Sequence, residues 1–174
     1  MEDKKENIFV STDKSKLDIA LIHEFLTNSY WGQGRTLEQV QTIDNTICFG
    51  IYKDNEQIGF ARVLTDKVVF AYLMDVFILD KQRGKGYSKI LLDEIFKYQN
   101  FAEIGKWFLG TRDAHNLYRQ FQFVEIAKPE MFMERIKVKW QYWILKMPEP
   151  LTTNLSNSGD VQRLNIISLM IFCF

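Results

Sequence analysis

Residues 82–88, QRGKGYS, hold two glycines and two cations and no carboxylate. An apolar run ends at Leu79 just before them, and an apolar-faced segment begins just after. Strand, glycine-rich turn and helix in that order make a recipe for holding an anion. The first turn of a helix carries N–H groups with no intrahelical acceptor, and the helix dipole adds partial positive charge there. Gly84 and Gly86 allow close backbone approach and positive φ. Arg83, Lys85 and the nearby Lys81 supply charge. The same residues also suit an ordinary solvated bend, and on the loop alone the two readings weigh equally. The nucleotide pattern GxxxxGK[ST] is absent, and GxGxxG fails because Lys89 stands at its third glycine.

Other side chains could do chemistry. Tyr118 lies in TRDAHNLYRQFQF, residues 111–123, where a phenol could hold a transferable proton or simply fill the core. Asp75 is the one carboxylate inside the apolar run from Val68 to Leu79. Burial would favour its protonated form and suit a base, whereas an exposed strand position would leave it inert. NSYWGQGR, residues 28–35, offers Tyr30 and Trp31 as an aromatic surface and Arg35 as a carboxylate partner; Arg62 could point the same way. Cys48 and Cys173 are far apart and neither joins a Cys/His cluster, so no metal site is expected. Cys48, in a strand pattern without an adjacent base, makes a poor nucleophile.

The elements that must position these groups follow from periodicity. Ile8–Ser11 reads as a strand, and Asp13 or Ser15 as the cap of a helix over residues 16–27. Thr36, with Gln39 three residues on, has the form of a capping box. Residues 46–53 and 57–66 alternate as a hairpin about Asp54-Asn55-Glu56. Val68–Leu79 reads as a central strand buried on both faces. A helix follows the glycine turn, with Ile90, Leu91, Leu92, Ile95 and Phe96 on its apolar side. Residues 106–110 form a further strand, and Thr111 or Asp113 caps a helix running to about Gln120. Residues 123–126 and 140–147 are the last strands, and 129–138 a turn or short helix. The order predicts a mixed α/β or α+β sheet.

The 174 residues suit one domain, placed at 1–147, with 148–174 as an extension beyond Pro148 and Pro150. Lys+Arg and Asp+Glu both total 22, which argues against a general nucleic-acid binder. No apolar run reaches the ~18 residues of a membrane span, and the charged start MEDKKENIFV is no signal peptide. Two unclustered cysteines fit a reduced, cytoplasmic setting.

With these residues in place, Arg83-Gly84-Lys85-Gly86-Tyr87-Ser88 resembles the acetyl-CoA signature of the GNAT N-acetyltransferases, [RQ]-x-x-G-x-[GA]. Arg83 and Gly86 match, while Ser88 departs from the final Gly/Ala. The order of strand, loop, helix, strand and helix is the same, and the resemblance covers about Ile8 to Met147. It implies a GNAT-like fold: a mixed, mostly antiparallel sheet of about six to seven strands, splayed at its centre, with helices on both faces.

The resemblance also implies that the amides of Arg83 through Ser88 bind the CoA pyrophosphate. The preceding strand, Met74, Val76, Phe77 and Ile78, would bond the pantetheine through its backbone, and Asn116 could touch CoA. Tyr118 takes the place of the tyrosine that protonates the leaving thiolate. Phe123 takes the closing phenylalanine, and Gln122 stands where the family has glycine. The implied reaction is direct transfer of acetyl from acetyl-CoA to a primary amine in a ternary complex, without metal. The base could be Asp75, Glu24, His23 or a chain of waters. The acceptor, a small amine or a peptide, would meet Tyr30, Trp31, Arg35 and Arg62. No nucleic-acid or membrane partner is expected, and there is room for a homodimer. A non-catalytic acyl-CoA-binding module on the same fold is the alternative.

Overall fold

The computed structural model describes residues 6–135. They fall into two compact units that meet in sequence between Leu109 and Gly110. In the first, the strands β1 (Ile8–Ser11), β2 (Ile47–Lys53), β3 (Glu56–Thr65), β4 (Phe70–Ile78) and β5 (Lys106–Leu109) form one sheet in sequence order. The first four are antiparallel, and β5 joins β4 in parallel. The expected hairpin is present, and Asp54 and Asn55 turn it at φ 49° and 78°. Positive φ at both central residues matches the right-handed twist of the paired strands.

Neighbouring residues of a strand point to opposite faces. Cys48 and Phe60 therefore pack with Ile22, Leu26, Val40 and Phe77 in the cluster under α1 (Ile19–Asn28) and α2 (Leu37–Gln41). Phe49 faces the other way and meets the rings of Tyr98 and Phe101. α3 (Tyr87–Phe96) packs against β2 and β4, with Leu91, Leu92 and Ile95 fully buried. The sheet thus carries helices on both faces, as expected.

The local signals resolved as follows. Asp18, rather than Asp13 or Ser15, caps α1, its Oδ1 accepting from the Leu21 N–H at 2.9 Å. Asp13 instead caps a 3-10 turn at Lys14–Lys16. The capping box at Thr36 and Gln39 is closed in both directions. β4 begins at Phe70, because Asp66 Oδ1 accepts from the N–H groups of Val68, Val69 and Phe70 and holds the two valines in an exposed turn. Ile90 is exposed, not part of the apolar side of α3.

Five strands lie within the described residues, against six to seven expected. Residues 123–126 are not a strand, and Val124 is 80% exposed. The strand expected at 140–147 and the extension 148–174 lie outside the described residues. In the second unit, α4 (His115–Arg119) is followed by a 3-10 turn at Pro129–Met131. The Ala114 N–H at the start of α4 donates to Thr111 Oγ1 at 3.0 Å.

Candidate active site

β5 ends where Leu109 stands opposite Leu73. Beyond that point, from Met74 to Ile78, no strand among the described residues pairs with this edge of β4. On its other edge β4 carries a bulge. Arg62 pairs with Met74 and Phe60 with Phe77, so Asp75 and Val76 share the place opposite Ala61. Asp75 sits at φ 54°, the left-handed position that glycine usually takes in such a bulge. A short β5 and a kinked β4 leave the second half of β4 without a partner on this side among the described residues.

After β4 the chain makes a 3-10 turn at Asp80–Gln82 and enters the glycine loop. Gly84 and Gly86 adopt φ 77° and 84°, and nothing lies within 4 Å of where a Cβ would stand on either. Gly86 caps α3 without a side chain to satisfy its first turn. The Lys89 and Ile90 N–H groups both donate to the Gly86 carbonyl. Of the five preceding N–H groups, that of Lys85 closes a turn over Arg83 and Gly84, while those of Gly84, Gly86, Tyr87 and Ser88 have no hydrogen-bond acceptor among the described residues. A run of backbone donors around two left-handed glycines, at the start of a ten-residue helix, is a concavity shaped for an oxyanion.

The side chains of the loop do structural work. Arg83 Nε donates to the Ile78 carbonyl at 3.2 Å, Nη2 pairs with Asp80 at 3.0 Å, and the guanidinium lies over the Phe25 ring. The Arg83 N–H donates to the Asp80 carbonyl, so it is already engaged. Asp80, just upstream of the motif, is an acidic partner that the reading of QRGKGYS alone missed. Lys85 Nζ donates to Gln82 Oε1. Tyr87 turns inward, and its hydroxyl donates to Glu6 Oε2 at 3.0 Å while Lys53 holds Oε1 of the same carboxylate. Burial and the Glu6 hydrogen bond raise the Tyr87 pKa. The bonds from Lys53 and Tyr87 keep Glu6 below the usual carboxylate range.

On the face under α1, Phe25 lies flat on Phe77, 3.9 Å between centroids. Tyr30 and Trp31 meet edge to face, and Trp31 also faces Phe25 at 6.4 Å. The buried Trp31 Nε1 has no hydrogen-bond acceptor among the described residues. Arg35 Nη1 and Arg62 Nε both donate to Asp75 Oδ2, each at 2.5 Å. Asp75 is therefore buried, but as the shared anion of two guanidiniums. His23 Nε2 lies 3.1 Å from the Arg35 carbonyl, and Glu24 is exposed. Cys48 is buried, and burial pushes its thiol up, away from nucleophilic use.

These arrangements share their fold with solved structures. A crystal structure from Xanthomonas campestris pv. campestris, assigned to the GNAT family of acetyltransferases, is 42% identical to this chain. The match has a TM-score of 0.73 and covers 75% of this chain and 94% of that one. The chain belongs to the GNAT family. The model of the acetyltransferase (GNAT) domain matches residues 44–125. A curated acetyltransferase relative from Gibberella zeae is 27% identical over 131 residues, covering 63% of this chain and 74% of the relative. A protein of Staphylococcus aureus, 20% identical, shares the fold at a TM-score of 0.60 over 75% of this chain and 99% of its own. GNAT membership makes acetyl transfer the general activity, and residues 44–125 span β2 through α4 of this GNAT chain.

The tyrosine and asparagine brought in by resemblance stand on α4 in the second unit. Tyr118 is buried, with its ring edge-on to Phe123 at 5.9 Å. Asn116 is exposed and accepts from Arg119 at 3.3 Å. Gln122 stands where the resembled pattern has glycine, and it adopts left-handed backbone at φ 65°. The Phe123 N–H donates back to the Tyr118 carbonyl at 3.2 Å and closes the turn. Among the described residues no group of His, Cys, Asp and Glu could hold a metal, and no helix is long and apolar enough to cross a membrane.

Proposed function

We propose that the chain is an acetyl-CoA-dependent N-acetyltransferase that acetylates a primary amine by direct attack in a ternary complex. The observation that carries this reading is the set of four unaccepted N–H groups at Gly84, Gly86, Tyr87 and Ser88, beside the edge of β4 that no described strand pairs. The two features suit a pyrophosphate and an amide-bearing arm, and CoA has both. Backbone donors from Gly84 through Ser88 would hold the phosphates. The edge from Met74 to Ile78, with Val76 and Phe77 at its middle, would hold the pantetheine.

Acetyl-CoA supplies an activated acyl group. The amine must reach it neutral, and its nitrogen displaces sulfur from the acyl carbon. Tyr118 would hold the proton that the leaving sulfur takes, a role suited to a phenol protonated at neutral pH. Asp75, engaged by two guanidiniums, serves better as their anchor than as a base. The amine's proton then passes to His23, Glu24 or water. Tyr30, Trp31, Arg35 and Arg62 form the acceptor side. The reading places the reaction in the cytoplasm, with no nucleic-acid or membrane partner and with room for a homodimer.

Titration calorimetry with acetyl-CoA, followed by thiol-release assays over a panel of amines, tests this. Saturable binding and acceptor-dependent thiol release are expected. No binding at roughly millimolar ligand overturns it. Binding without any turnover points to the acyl-CoA-binding module instead.

A further inference from the structure

Arg35 and Arg62 come from different elements, the loop after α1 and strand β3, and converge on one oxygen of Asp75. Their side chains are 13% and 14% exposed, and that of Asp75 is 1% exposed. Each guanidinium has five N–H donors in a fixed fork. Arg35 gives only Nη1 to a protein acceptor and Arg62 only Nε, and neither has another partner among the described residues. The remaining donors have no protein acceptor among the described residues, and none of them is sealed from solvent, so they stay open to a ligand. Two cations and one anion also leave a net charge of +1, and a half-sequestered positive charge is costly unless an anion meets it. The loop that carries Arg35 also carries Tyr30 and Trp31, whose rings sit edge to face.

We propose that the acceptor is an amine bearing a carboxylate, held by the unmatched forks of Arg35 and Arg62, with Asp75 keeping the two guanidiniums apart and aligned. This rests on the acetyltransferase reading and narrows its substrate class. A monoanion balances the cluster, whereas a phosphate dianion would leave an excess negative charge, so the carboxylate is favoured. Bidentate guanidinium–carboxylate contact fixes orientation as well as affinity, and would aim the amine from a defined direction.

The test compares matched amines on the unaltered protein with acetyl-CoA as donor: L-phenylalanine against phenethylamine, and β-alanine against propylamine and O-phosphoethanolamine. The carboxylated member of each neutral pair should be preferred in kcat/KM by about ten- to a hundredfold, with most of the difference in KM. In Arg62→Lys and Arg35→Lys, which keep the charge but lose the fork, that ratio should fall toward one. Calorimetry should still show acetyl-CoA binding to both variants. Equal use of the neutral amines overturns the inference, and so does preference for the phosphate. If acetyl-CoA binds but none of these amines is acetylated, the carboxylate inference fails while the cofactor reading stands. If acetyl-CoA does not bind, both fail.

Discussion

Asp75 and Arg62 meet at 2.5 Å across the β-bulge that kinks β4, with the carboxylate only 1% exposed. The contact fixes a non-glycine residue in left-handed backbone conformation, and Arg35 completes it from the loop after α1. Removing the anion leaves two partly buried cations without their shared partner. Asp75→Ala should therefore lose about 3–5 kcal/mol of stability, read from urea unfolding. A loss below about 1 kcal/mol would mean that the pairs are solvated and weak.

Gly86 has open space around its missing side chain but a φ that only glycine adopts freely. Gly86→Glu should cost about 1–2 kcal/mol of stability and place a carboxylate among the pyrophosphate donors. Acetyl-CoA affinity should fall by about a hundredfold or more, as calorimetry would record. Retained affinity would count against the loop as a phosphate cradle.

Tyr118→Phe removes one hydroxyl from a buried ring. Acetyl-CoA should bind as before, while kcat falls by roughly a hundredfold. If the phenol is the acid, a basic limb is expected in the pH profile of the parent enzyme and should be missing from the variant. Unchanged turnover across the pH range would remove the acid role.

Gln122 holds φ 65° in an exposed turn where its family has glycine. Relief of the left-handed strain outweighs the added freedom of the unfolded chain. Gln122→Gly should stabilise by about 0.5–1 kcal/mol in thermal or urea unfolding.

Asp66 accepts three backbone N–H groups, which hold its carboxylate below the usual range. The unfolded chain takes up this proton before the folded one does. The stabilisation is therefore complete above the ordinary carboxylate pKa of about 4, and is lost as pH falls through the lowered folded value. Asp66→Ala should lower the urea midpoint at neutral pH and flatten its acid dependence.

The parts of this molecule visible in sequence were those written in consecutive residues. The hairpin at Asp54 and Asn55, the capping box at Thr36 and Gln39, and the glycine cradle at residues 84–88 each need only near neighbours. The ion triad needs partners 40 and 13 residues from Asp75, and no periodicity joins them. Asp75 thus looked like an unusual lone carboxylate, although Arg35 and Arg62 were both suspected of facing an anion. The start of β4 was misplaced because Val68 and Val69 continue its apolar pattern, and only the side chain of Asp66 shows that they turn. Residues 123–126, FVEI, carry the aromatic and β-branched residues of a strand, but pairing depends on a partner that sequence pattern does not supply.

The short β5 also bears on how the chain behaves in crowded solution. An unpaired strand edge is a template on which another polypeptide can add and begin to aggregate. Among the described residues the unpaired edge runs only from Met74 to Ile78, and the left-handed kink at Asp75 spoils its flatness. An edge this short and bent is a poor template for a neighbouring strand, whereas the proposed cofactor needs only a few of its backbone groups. The kink that suits β4 to a ligand thereby also guards it against misassembly.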